Sequence, residues 1–264
     1  MGIKTKLTLK ELNDIFEGYN FISIEATLYG VIDTTYIAST QTDDYIIKKY
    51  ERDIKDRIET DKKLLEHLKL SGLNVPAFLE EKNGWYIYEK LSGDVPKGTT
   101  TAHIQALARL LSDLHRATHK RSFPNPFLES CEVKQSLKYI KSNYYHYFKK
   151  FQHLYDFDMP NDGLIHGDIF KDNTVFDENK IGIFDFIDSG YGSFLFDCGV
   201  ALTGFGVKST NNYYINLFLN TYNQKAPKKL KKSELINEME LASKFYTLLR
   251  IYRNQNINNA KELL

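Results

Sequence analysis

Apolar and polar positions alternate in three early stretches, and this predicts strands. Phe21 to Tyr29 is rich in Ile, Phe and Thr, and Thr35 to Ser39 and Tyr45 to Tyr50 follow it. The polar turn Thr40-Gln41-Thr42-Asp43-Asp44 separates the last two, as in a β-hairpin. Alternation puts Ile46, Lys48 and Tyr50 on one face of the third stretch and Tyr45, Ile47 and Lys49 on the other. Ile54, Ile58, Leu65 and Leu68 then recur at helical spacing, and Ser71-Gly72 stops that helix. Val75 to Glu80 and Trp85 to Glu89 flank the turn signal Lys82-Asn83-Gly84. The first third therefore reads as strands around one helix.

The pattern changes after Leu91. Ser92 to Gly98 reads as a linker, which divides the chain into a lobe 1–91 and a lobe 92–264. Thr99 to Thr101 can cap a helix whose buried stripe is Ile104, Leu107, Ala108, Leu111 and Leu114. Phe123-Pro124-Asn125-Pro126-Phe127 breaks the chain, and periodicity predicts one long aromatic helix from Val133 to about Phe151. Short strands are expected at Thr174–Phe176 and Lys180–Phe184, and helix through most of the remainder, ending in Phe245 to Arg253. No internal repeat is visible. The expected class is α+β: a small antiparallel-β lobe, a short hinge and a larger helical lobe. A cleft between two such lobes is a natural ligand site.

Charge removes some partners from consideration. The chain has 264 residues, with 35 basic against 34 acidic, so nothing draws it toward nucleic acid or an anionic membrane. The basic run Lys225 to Lys232 reads as a solvated loop and helix start. Cys131 and Cys198 are too few for a disulfide framework, and Cys198 sits in an apolar run that suggests a buried, inert thiol. The N-terminus lacks an apolar signal core and no apolar run is long enough to span a bilayer. Gly2 begins a myristoylation-like start, but Lys6 stands where Ser or Thr is wanted. A cytoplasmic protein is expected.

The chemistry is concentrated in His166-Gly167-Asp168-Ile169-Phe170-Lys171-Asp172-Asn173 and Ile183-Phe184-Asp185-Phe186. Phosphoryl transfer needs a carboxylate for the proton of the attacking hydroxyl, and hard oxygens for magnesium on the phosphates. Asp168, five residues before Asn173, suits the first role. Asn173 and Asp185 suit the second. Lys48 is the lysine chosen to reach the phosphates, and Glu59 on the following helix the acid chosen to position it, with Asp61 and Glu66 as competitors. The connection from Gly30 to Tyr36 is expected to close over the phosphates with backbone N–H groups and the hydroxyls of Thr34 and Thr35. Tyr88-Glu89-Lys90-Leu91 occupies the hinge, where backbone groups of Glu89 and Leu91 are expected at the nucleobase edge.

These residues resemble the signature of the aminoglycoside phosphotransferase and choline kinase superfamily of protein-kinase-like folds. His166-Gly167-Asp168 is the small-molecule kinase form of a triplet that eukaryotic protein kinases write as His-Arg-Asp. The resemblance implies a two-lobed kinase-like fold, ATP (or GTP) as donor, and Mg2+. It also implies that Asp197 braces the catalytic loop and that His166 is structural. Gly18-Tyr19, Gly30 to Tyr36, Leu114-His115-Arg116-Ala117-Thr118, Phe123 to Pro126, Gly163 to Asn173 and Phe194 to Asp197 look like the homoserine kinase branch, although Lys48 fits the broader superfamily better. Homoserine as acceptor requires an acid for its ammonium, Asp188 or the more remote Asp33. It requires a base for its carboxylate, Arg250 or Arg253. An aminoglycoside would need several acids, and choline or ethanolamine an aromatic cage. The reading outside enzymes is a nucleotide-binding pseudokinase, which intact Lys48, Asp168, Asn173 and Asp185 oppose.

Overall fold

The structure is a computed structural model, and it describes residues 3–27, 33–121, 124–178, 180–254 and 257–258. The chain forms two compact units, Met1–Asp94 with Val175–Ile187, and Val95–Thr174 with Asp188–Leu264. This differs from a single cut at residue 91. The segment Val175–Ile187, which carries most of the two short strands expected at 174–176 and 180–184, packs with the N-terminal unit, because Ile183 N–H donates to Asn74 C=O (3.1 Å) and Asp94 and Phe176 exchange backbone bonds (3.0 and 2.9 Å). Gly182 permits this seating. A Cβ there would lie 2.8 Å from both Asn74 Nδ2 and Leu91 Cδ1.

The N-terminal unit opens with helix α1 (Leu9–Ile15), which the apolar periodicity did not reveal. Its signal is the capping box of Thr8 and Glu11, each accepting from the other's backbone N–H. Strands β1 (Ser23–Ala26), β2 (Thr34–Ser39), β3 (Asp44–Lys49), β4 (Phe78–Lys82) and β5 (Trp85–Glu89) make one antiparallel sheet in the order β1-β2-β3-β5-β4. Asn83 and Gly84 both take positive φ (54° and 74°), the conformation a two-residue hairpin turn demands. One face buries Tyr36, Ala38, Ile47 and Ile87 against Leu12, Phe16 and Phe21. Fully burying a large apolar side chain such as Ile47 or Ile87 contributes about 1.5–3 kcal/mol, so this face fixes the register. Helix α2 (Lys55–Leu70) buries Ile58, Asp61, Leu64, Leu65 and Leu68 and ends at Ser71.

The C-terminal unit contains α3 (Thr101–Thr118), α4 (Val133–Asn143), α5 (Tyr145–Phe151), α6 (Phe194–Gly204), α7 (Asn212–Lys225) and α8 (Lys232–Asn254). Thr100 caps α3 by accepting from His103 N–H (3.2 Å). The expected single aromatic helix is broken in two. Tyr144 leaves helical geometry (φ −142°, ψ 50°) while Asn143 Nδ2 donates to Tyr139 C=O (2.9 Å). Asn143-Tyr144-Tyr145 are indifferent helix formers, and the restart lets Phe148 and Phe151 join Leu137, Ile140, Phe196 and Phe245 in the core. Strands β6 (Gly163–Ile165) and β9 (Gly190–Gly192) pair antiparallel, and the chemical segment lies between them. It includes the hairpin β7 (Thr174–Asp177) and β8 (Lys180–Ile183). Among the described residues, no helix is long and apolar enough to cross a membrane.

Candidate active site

In the C-terminal unit the loop 166–173 leaves β6 and is held from below by one carboxylate. Asp197, on the first turn of α6 and fully buried, accepts from Gly167 N–H (Oδ1, 2.7 Å) and His166 N–H (Oδ2, 3.1 Å). His115 Nε2, from α3, lies 3.1 Å from the same Oδ2. His115 Nδ1 lies 2.7 Å from the Tyr222 hydroxyl on α7. Burial, foremost, drives the Tyr222 pKa upward, with Cys198 and Asp197 adding to it, so the hydroxyl keeps its proton and donates to Nδ1. That leaves Nε2–H to donate to Asp197, and Phe194 stacks on the ring at 4.0 Å. A carboxylate with three donors is the form of buried charge that a fold tolerates. His166 is buried, and its Nδ1 accepts from Asp168 N–H (3.2 Å).

The loop then presents Asp168 and Asn173 together. Asn173 Nδ2 donates to Asp168 C=O (2.8 Å) and to Asp168 Oδ2 (3.0 Å). Committing the amide nitrogen twice to Asp168 leaves the Asn173 amide oxygen as the acceptor to present. Tyr246 on α8 donates its hydroxyl to Gly167 C=O. Burial first, then the nearby Asp168 charge, raises the Tyr246 pKa well above the ordinary tyrosine value and keeps it a donor.

In the N-terminal unit Lys48 and Asp185 meet. Lys48 Nζ lies 2.5 Å from Asp185 Oδ1, with the side chains 13% and 35% exposed. Asp185, two residues beyond β8, takes positive φ (73°), a region that Asp tolerates better than most residues. Lys48 also lies over the Tyr50 ring (5.2 Å). Tyr50 and Tyr88 pair through their hydroxyls (3.0 Å), and burial raises both pKa values, with charges of Asp61 and Asp185 adding to it. Thr35 pairs directly with Lys48 across β2 and β3 and so shares its face.

Several expected residues lie elsewhere. Glu59 does not position Lys48. It is exposed and pairs with Lys62 (2.7 Å), which lowers its pKa. The buried helix acid beside the tyrosines is Asp61. Thr34 is fully buried, and its hydroxyl accepts from Lys4 and Thr5 N–H and donates to Glu51 (2.6 Å), so it is committed to the fold. Asp33 is also taken, by Glu51 N–H (3.0 Å) and Arg52 (3.4 Å). The Glu89 N–H donates to Ala77 C=O (2.9 Å), and its carboxylate pairs with Lys69. Leu91 is buried beside Gly182. Gly30 lies outside the described residues. Asp188 is half-buried in a short turn after Asp185. Arg253 pairs with Glu132 (3.7 Å), and Arg250 lies over the Phe170 ring (5.2 Å). Sequence reasoning gave no roles to His115, Tyr222 or Tyr246.

A family model described as the phosphotransferase enzyme family, APH, matches residues 24–224. The chain belongs to this family. Homoserine kinase from Polaromonas naphthalenivorans (strain CJ2) is 25% identical to it over 208 residues. That match covers 68% of this chain and 64% of the relative, just under two thirds of its length. Choline kinase LicA from Streptococcus pneumoniae superposes with a TM-score of 0.67 at 18% identity, over 93% of this chain and 90% of that one. Amicoumacin kinase hAmiN, solved with AMP-PNP, Ca2+ and Ami, also gives 0.67, at 16% identity, over 97% of this chain and 91% of that one. At these identities the two structures establish a shared phosphotransferase fold.

Proposed function

We propose that this phosphotransferase is an ATP- and Mg2+-dependent small-molecule kinase whose acceptor is homoserine. The observation that carries the chemistry is the Asp168–Asn173 pair on a loop held by Asp197. Asp168 orients the acceptor hydroxyl and takes its proton. The hydroxyl oxygen forms a bond to the γ-phosphorus, the bond from that phosphorus to the bridging oxygen breaks, and ADP leaves with the electron pair. A positioned base of this kind contributes about a hundred- to ten-thousandfold in rate. Lys48 grips the phosphates, with Thr35 beside it.

Asn173 and Asp185 are the proposed magnesium ligands, because an amide oxygen and a carboxylate are the hard-oxygen types that magnesium takes while keeping several waters. When bound, the ion neutralises charge on the phosphate oxygens. Amicoumacin kinase hAmiN, with AMP-PNP and Ca2+, supports a nucleotide and a divalent ion for this fold.

Homoserine is favoured by the Polaromonas naphthalenivorans relative; choline, ethanolamine or an aminoglycoside is the second reading, supported by the LicA likeness. GTP is the alternative donor, and a pseudokinase the alternative outside enzymes. The test is a coupled ADP-release assay with ATP or GTP and Mg2+ across homoserine, choline, ethanolamine and kanamycin. Turnover with homoserine is the expected result. Turnover with none of them would favour the pseudokinase.

A further inference from the structure

We propose that Arg250 receives a carboxylate of the acceptor, which makes the acceptor a hydroxy acid or hydroxy amino acid and excludes purely cationic alcohols. The inference rests on the kinase reading above and names the acceptor class for that site. Its source is the placement of one cation on the catalytic loop.

Phe170 follows Asp168 by two residues, and its N–H donates to Asp168 C=O (2.9 Å). Its ring is seated on two sides. A Cβ at Gly204 would come within 2.9 Å of Phe170 Cδ1 and 2.7 Å of Ile169 C=O, so glycine at the end of α6 gives the loop its place. The Tyr246 ring meets Phe170 edge-on at 5.0 Å, and the Tyr246 hydroxyl donates to Gly167 C=O. Arg250 lies one helical turn beyond Tyr246 on α8, on the same face. Its guanidinium stands over the Phe170 ring, 5.2 Å from the centroid. The cation is therefore tied by ring contacts to the loop that carries the proposed base.

Arg250 is exposed, and among the described residues its guanidinium makes no hydrogen bond or ion pair. Arg253, on the next turn, is instead matched with Glu132. Lys171, the residue after Phe170, likewise has no side-chain partner among the described residues. An ordinary surface arginine moves freely in water, whereas this one rests over an aromatic ring. A planar fork of N–H donors held in place suits two carboxylate oxygens. The same placement opposes a cationic acceptor. The aromatic face that a quaternary ammonium would use already holds a positive charge.

The experiment measures steady-state rates of wild type, Arg250→Gln and Arg250→Lys with saturating ATP and Mg2+. The acceptors are L-homoserine, 3-aminopropan-1-ol (the same amino alcohol without the carboxylate), choline and kanamycin. Wild type is expected to prefer homoserine over 3-aminopropan-1-ol by about a hundredfold, the scale at which a site built for a polar group rejects an analogue lacking it. Arg250→Gln should raise KM for homoserine about tenfold or more, leave KM for ATP and the rate with 3-aminopropan-1-ol unchanged, and be partly restored in Arg250→Lys. Since Arg250 is exposed, its melting temperature should match wild type. A homoserine KM within twofold of wild type in Arg250→Gln would overturn the proposal. So would equal or better use of choline, kanamycin or 3-aminopropan-1-ol by wild type, which leaves the kinase reading intact. Turnover of none of the four overturns the kinase reading itself, and this inference with it.

Discussion

The loop of the C-terminal unit and the lysine corner of the N-terminal unit are built in different ways. Asp168 stands on backbone that a fully buried carboxylate holds by two N–H groups, with His115 as a third partner and Tyr246 bonding the loop from α8. Lys48 and Asp185 meet in an ion pair whose side chains are 13% and 35% exposed, so the aspartate side reaches solvent. Removing one partner of a fully buried charged network costs about 3–5 kcal/mol, whereas a pair that reaches solvent contributes less. The contrast teaches a division of labour. In the mechanism proposed above, the group that takes the proton must be placed to within fractions of an ångström, which a fixed loop provides. Lys48 and Asp185, proposed to meet phosphate and metal, would exchange partners on binding, which an ion pair open to solvent on the aspartate side allows.

The largest break in this comparison is Asp197→Ala. It should destabilise the protein by about 3–5 kcal/mol and abolish transfer, because His166 and Gly167 N–H lose their acceptor. Urea unfolding with rate measurements would check this, and a near-normal midpoint would contradict the buried brace. Lys48→Met should act on the other region alone. It should cost less stability than Asp197→Ala and lower kcat/KM for ATP about a hundredfold, with KM for the acceptor unchanged. Glu59→Gln is its control and should change neither, since Glu59 serves Lys62.

A smaller effect concerns pH. Burial raises the pKa of Tyr222 and Tyr246 above the ordinary tyrosine value of about 10. Below that value both hydroxyls are protonated in folded and unfolded chains alike, and stability does not respond to them. Above it the unfolded chain releases protons that the folded chain retains, so stability falls as pH rises. Melting temperature should decline above pH 10, and Tyr222→Phe should flatten that decline at the cost of the His115 bond. An alkaline slope identical in the variant would sink the assignment.

Much of this was legible because it depends on local pattern. Alternation located β2, β3 and β5, Asn83-Gly84 marked its turn, and the spacing of Asp168, Asn173 and Asp185 pointed to phosphoryl transfer. Glu59 pairs with Lys62 in the structure, and a sign of its outward placement is present in the sequence. Ile58, Asp61, Leu65 and Leu68 lie on one helical stripe and are all buried, while Glu59 is rotated about 100° from Ile58. The capping box of α1 was also readable from Thr8 and Glu11. Other features were not. His115 and Tyr222 are 107 residues apart, and Lys48 and Asp185 are 137 apart, so only tertiary packing chooses these partners. The joining of Val175–Ile187 to the N-terminal unit rests on Asn74 and Asp94, which no periodicity connects to that hairpin. The bend at Tyr144 is set by the core that Phe148 and Phe151 enter.

The central claim is that Asp168 takes the acceptor's proton during phosphoryl transfer. Asp168→Asn keeps the size of that side chain and one oxygen to accept from Asn173, and removes its basicity. The direct measurement is single-turnover transfer of labelled γ-phosphate to homoserine, alongside ATP affinity by calorimetry, for wild type and this variant. The account predicts transfer reduced by about a thousandfold or more with ATP affinity within about threefold of wild type. Transfer at the wild-type rate in Asp168→Asn would contradict it.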